Sequence, residues 1–179
     1  MVLNLLVWIV VFAPLITAII SIATGQWVEP LTAAITISGY SALCFYLASL
    51  AARPLAKPLR TLQLMRFRRR LGVTSFAYAV LHLVLHGIDL GGVAGLSREV
   101  LVRPFLALGF VATVGLTVLA VTSLNSLRRR LGRSWQSLHR TTHLLAALIT
   151  AHYVLAQKVI TIEQWLVIAV VAALLVHRK

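Results

Sequence analysis

Six runs of predominantly apolar residues, most of them close to the roughly 20 that a helix needs to cross a bilayer, govern what this chain can fold into. They extend from Leu3 to Ala23, Leu31 to Ala51, Val73 to Gly92, Val102 to Ser123, Ser137 to Gln157 and Ile162 to Val176. A soluble domain has no core large enough to hide them: 60% of the 179 residues are hydrophobic, 12% are charged and the mean hydropathy is +0.93. In lipid every backbone polar group must be satisfied within its own segment, which leaves helices for runs of this length. The expected fold is an all-α integral membrane protein, one six-helix transmembrane bundle over residues 1–179. The first run lacks a basic leader and a small-residue cleavage site, and reads as a helix and not as a signal peptide.

Charge gives the orientation. The net charge of +13 would suggest nucleic acid in a soluble chain, but here the bases fall in short loops between apolar runs, and a nucleic-acid partner is excluded. Arg53, Lys57, Arg60, Arg66, Arg68, Arg69 and Arg70 lie between runs two and three, Arg128, Arg129, Arg130, Arg133 and Arg140 around the junction of four and five, and Arg178 and Lys179 after run six. The opposite side has only Arg98, Arg103 and Lys158 among the bases, with all four acids, Glu29, Asp89, Glu99 and Glu163. The arginine-rich loops and both termini are therefore expected in the cytoplasm of a bacterial inner membrane, in a multi-pass arrangement. Trp8, Trp27, Trp135 and Trp165 fall near predicted helix ends, where indoles favour the interface.

Within this apolar frame the histidines stand out. His82 and His86 share the third run, and His139, His143 and His152 the fifth; His177, in the basic tail, is given no role. The i, i+4 pairs His82 with His86 and His139 with His143 each occupy one helix face. Ionisable groups inside a membrane are costly and usually face the bundle interior, which makes them functional candidates. A lone histidine is as readily explained by a hydrogen bond to a neighbouring helix, but five on two helices are not. Haem suits the pattern: imidazole binds its iron, the porphyrin is apolar, and two helices clamp it from opposite sides. Zinc or copper fits less well, because no carboxylate or thiolate accompanies these histidines. The one cysteine, Cys44, reads as a small core residue. No Gly-rich phosphate loop follows a strand pattern, so no flavin or nicotinamide domain is expected within these residues.

The runs "RRRLGVTSFAYAVLHL", "VRPFLALG" and "TSLNSLRRRLGRSWQSLHRTTHLLAALITAHYVL", in this order and spacing, resemble the MsrQ (YedZ) family over about Gly39 to Lys158. That family supplies the haem-binding membrane subunit of the bacterial periplasmic methionine sulfoxide reductase system, within the ferric-reductase-like transmembrane superfamily. The resemblance implies haem b, one or two per chain, with His82, His139 and His152 at the family's histidine positions, and it implies FMN, for which the sequence has no local motif. His86 and His143 stand where members have tyrosine. The implied partners are a periplasmic molybdenum-containing methionine sulfoxide reductase as acceptor, and membrane quinol or a cytoplasmic flavin reductase as donor.

Depth along the helices gives a different pairing. Counted at ~1.5 Å per residue from Val73 and Trp135, His82 lies ~14 Å deep, His86 ~20 Å, His139 ~6 Å, His143 ~12 Å and His152 ~26 Å. That ruler pairs His86 with His152 and His82 with His143. On a straight helix His139 and His152 also face about 140° apart, so His139 is assigned to a propionate, a quinol head group or a second haem unless the helix bends. Arg68, Arg69, Arg70 and Arg140 are candidate propionate or head-group contacts as well as topological anchors. His82 and His152 rank first as axial ligands and His139 next, with His86 and His143 behind. The chain is read as an electron-transfer subunit of an oxidoreductase system that does not itself turn over methionine sulfoxide. A ferric or other small-acceptor reductase, and a non-redox transporter or channel with a histidine-lined path, are the alternatives. The acceptor is expected to dock at the short outer loops carrying Asp89, Arg98, Glu99, Arg103, Lys158 and Glu163.

Overall fold

The structure, a computed structural model, describes residues 2–56, 58, 60 and 63–176, with the backbone alone for residues 2–6. Lys57, His177, Arg178 and Lys179 lie outside the described residues. All regular structure among the described residues is helical: α1 (Val2–Ala23), α2 (Pro30–Ala56), α3 (Gln63–Asp89), α4 (Val93–Val102), α5 (Pro104–Thr122), α6 (Asn125–Leu131), α7 (Arg133–Arg140), α8 (Thr142–Leu155) and α9 (Ile162–Val176). Three helices, α2, α3 and α5, are long and apolar enough to cross a membrane, and Val7–Ala23 and Ile162–Val176 are shorter apolar segments. Large apolar side chains such as Ile16, Ile19, Val111, Val114, Leu144 and Leu166 stand exposed on the outside. Water would not tolerate so continuous an apolar exterior, whereas lipid matches it.

Small residues hold the bundle together. Where lipid replaces water there is no hydrophobic drive between helices, so close backbone approach and polar bonds take over. The α2–α3 seam uses both: Ser75 donates to the Ala42 carbonyl at 2.8 Å, Ser49 to the Arg68 carbonyl at 3.2 Å, and Gly72 lies against the Ser49 hydroxyl. Tyr78 donates to the Val11 carbonyl at 2.7 Å and ties α3 to α1. Between α5 and α8, Gly115 leaves the space that Leu145 fills. Tyr46, Leu50, Ala79, Leu116, Leu119, Leu145, Ala146 and Val171 form the main core, drawn from five helices.

Four local features differ from the sequence expectation. Helix α3 begins at Gln63, so Arg66, Arg68, Arg69 and Arg70 ride on its first turns and not in a loop. A separate helix, α4, occupies the connection to α5, set off by Gly91 and Gly92 at φ 81° and 95° on one side and by extended Arg103 before Pro104 on the other. The fifth apolar run is not one helix. It breaks at Thr141, whose N–H bonds the Leu138 carbonyl in a tightened turn at 3.1 Å, while Tyr46 donates to the Thr142 carbonyl. Cys44, expected in the core, is exposed on the outer face of α2; a bilayer accepts a small apolar thiol there as readily as the interior does.

Candidate cofactor site between two histidine notches

A cavity of about 410 Å³ lies between α2, α3, α5 and α8, in the half of the bundle away from the arginine runs. Its volume falls in the range of small-molecule and cofactor sites. Its walls are mostly aliphatic, and His82, His86 and His152 all line it. His82 and His152 approach across it with ring centroids 6.3 Å apart, and His86 stacks beside His82 at 6.0 Å. Across the cavity His82 therefore faces His152; neither His139 nor His143 lines it.

Both facing histidines are seated in the same way. His82 Nδ1 donates to the Ile35 carbonyl at 2.8 Å, and His152 Nδ1 to the Phe105 carbonyl at 2.7 Å. Four residues after each carbonyl comes a glycine: a Cβ on Gly39 would meet the His82 ring at 3.0 Å, and one on Gly109 would meet the His152 ring at 2.7 Å. A helical carbonyl has two lone pairs, one of which its own helix uses. Removing the Cβ at i+4 opens a notch through which an imidazole reaches the other. The sequence separations repeat, 47 residues from each carbonyl to its histidine. The α2–α3 and α5–α8 hairpins therefore carry equivalent notches that converge on one cavity.

These bonds fix the tautomer. A carbonyl only accepts, so each Nδ1 carries the hydrogen, and Nε2 of a neutral ring is left with its lone pair. This is the outer-shell arrangement that orients metal-ligating histidines. Among the described residues no three His, Cys, Asp or Glu side chains cluster to bind a bare metal ion. Haem asks for less, because the porphyrin supplies four nitrogens and the protein only the axial pair. The His82 and His152 rings lie with centroids 6.3 Å apart and planes at 75°, and these two side chains would hold such a group. The residues present fit that group. His86 Nδ1 is buried without a hydrogen-bond partner, 4.0 Å from the Asp89 carboxylate.

The remaining sequence candidates gather elsewhere. His139 lies at the arginine-rich end, its ring stacked on Trp135 with centroids 4.1 Å apart and its Nε2 3.1 Å from the Thr122 hydroxyl. Trp135 donates to the Thr122 carbonyl at 3.0 Å and carries Arg128 over its other face at 4.7 Å. With the interruption at Thr141, His139 lies on α7 and His152 on α8. None of Arg68, Arg69, Arg70 and Arg140 lines the cavity; Arg69 bonds Asn125 at 2.8 Å and Arg70 stacks over Phe67.

Sequence reasoning missed the polar rim at the cavity's open end. There Tyr153 donates to the Tyr40 hydroxyl at 3.3 Å, Tyr40 to the Glu163 carboxylate at 3.3 Å, and buried Gln164 to Tyr153 at 3.2 Å. Arg103 reaches the same end, its Nε paired with the Glu99 carboxylate. Gly39 and Gly109 were missed too, although a glycine inside an apolar helix is a signal of close approach.

No solved structure matches the chain. The family model for the ferric reductase like transmembrane component matches residues 36–151, which takes in Gly39, His82 and Gly109 and stops one residue before His152. That match spans well over half of the chain, which therefore belongs to the ferric reductase-like transmembrane family, membrane components of electron transfer.

Proposed function

We propose that this chain is a haem b electron-transfer subunit that passes electrons through a bacterial inner membrane, with His82 and His152 as the axial pair. The observation that carries the reading is the pair of notched histidines, each with Nδ1 committed to a backbone carbonyl, facing one another across an apolar cavity. Bound there, haem iron would take up and release one electron by cycling between the ferric and ferrous states. The carbonyl bonds hold both rings in the Nδ1–H tautomer and keep Nε2 aimed by geometry alone. The aliphatic walls contributed by Leu83, Leu106, Leu116 and Ile149 keep the space dry. A low-polarity surround disfavours charge on the site and tunes its potential.

The MsrQ-type motifs favour a periplasmic molybdenum-containing methionine sulfoxide reductase as acceptor, and quinol or a cytoplasmic flavin reductase as donor. Methionine sulfoxide is reversible damage, and its repair requires an electron source. The charge asymmetry favours six spans with both termini in the cytoplasm, which puts the cavity on the periplasmic side. His139, stacked at the opposite end, suits a second haem or a quinol head group, and FMN rests on the family resemblance. The cavity's open rim gives a second reading some support, a reductase of ferric chelates or another small acceptor.

Stopped-flow mixing separates the two. Dithionite-reduced protein, freed of excess reductant, is mixed with the periplasmic reductase or with a ferric chelate. Fast reoxidation by the reductase and slow reoxidation by the chelate is the expected outcome. The reverse order makes the chain a small-acceptor reductase.

A further inference from the structure

Arg103, expected from the sequence among the outer-loop charges that meet a docking protein, lines the cavity as well. It caps the end of α4 and the start of α5, two residues before Phe105, whose carbonyl anchors His152. Among the described residues that line the cavity it is the sole Arg or Lys, and none of them is Asp or Glu. Glu99, four residues earlier, forms an ion pair with its Nε, although the carboxylate oxygen makes no hydrogen bond there. A guanidinium has five donors in a planar fork, so a charge contact on the Nε side leaves the terminal nitrogens available to a guest. A cavity with mostly aliphatic walls and a single guanidinium at its rim selects an amphipathic guest, apolar in the body and anionic at one end.

We infer that Arg103, positioned by Glu99, binds the carboxylate of whatever occupies this cavity. The inference deepens the haem reading and rests on it: the shared chemistry is a carboxylate, carried either by the propionate of haem or by a free carboxylated acceptor at the rim. It also separates Arg103 and Glu99 from the set of outer-loop charges expected to steer a docking protein, because their pair belongs to the cavity.

The test titrates apoprotein in detergent with haem b and with haem b dimethyl ester, following the Soret band, for the native chain, Arg103→Gln and Arg103→Lys. A charge-assisted pair predicts that the ester binds the native protein about tenfold more weakly than haem b, that Arg103→Gln binds both alike, and that Arg103→Lys falls between. In parallel, apoprotein is melted with and without succinate. If a free carboxylate is the guest, the ester penalty is the same in all three proteins, and succinate raises the melting temperature of the native chain but not of Arg103→Gln. An ester penalty unchanged by Arg103→Gln, together with no succinate effect, overturns the subsite. A native chain that takes up neither form of haem refutes the haem reading instead, and the succinate comparison alone then decides the subsite.

Discussion

Replacing either His82 or His152 with alanine will strip most of the haem from the purified protein while the chain still inserts and folds. Outer-shell partners of metal ligands are worth on the order of 10–100-fold in affinity, so losing a ligand outright should cost more than about 100-fold. The substitution barely changes the hydrophobicity of a long apolar helix, so insertion is spared. Haem content per protein, from the ratio of Soret to protein absorbance, is the readout. His86→Tyr and His143→Tyr serve as controls and keep their haem. Full occupancy in both alanine variants would refute the axial pair. An empty His86→Tyr protein would restore the pairing by depth, His86 with His152.

The second large effect is expected at a glycine that never touches the cofactor. In Gly109→Val the new Cβ would occupy space 2.7 Å from the His152 ring. Both groups cannot stay, because the ring is pinned to the Phe105 carbonyl on the same helix. The imidazole must swing out of its notch, losing the bond that sets its tautomer, and haem affinity should fall by about 10–100-fold. Gly39→Val acts on His82 by the same logic but more mildly, since its clash begins at 3.0 Å. Haem titration compares the two. A Gly109→Val protein that binds haem with native affinity would mean that the notch does not hold the ligand.

These two positions also mark where the sequence was legible and where it was not. Apolar runs broken by arginines announce a helical membrane protein, because bilayer thickness and backbone satisfaction leave few other solutions. His82 and His152 were singled out through the motifs around them, and the structure brings their rings to one cavity. Their facing was not: a ruler of 1.5 Å per residue assumes straight helices with known starts, whereas α3 begins at Gln63 and the fifth run breaks at Thr141. Beside that break Tyr46 reaches the Thr142 carbonyl from another helix, a contact no local pattern encodes. The notches at Gly39 and Gly109 were present as a repeated 47-residue spacing between carbonyl and histidine. Backbone carbonyls leave no mark in a sequence, so the spacing becomes visible only when the helices are placed side by side. Arg103 was read as an outer-loop charge because it stands at the start of an apolar run, close in sequence to Arg98 and Glu99, while in space it lines a cavity.

The visible spectrum of the detergent-solubilised protein tests most directly whether His82 and His152 clamp one haem between the α2–α3 and α5–α8 hairpins. Recorded before and after dithionite, it should show a Soret band that sharpens and shifts on reduction, with the well-resolved longer-wavelength bands of a six-coordinate, low-spin haem with two imidazole ligands. A colourless protein that stays colourless after incubation with haem, or one whose bound haem is five-coordinate and high-spin, would contradict that clamp.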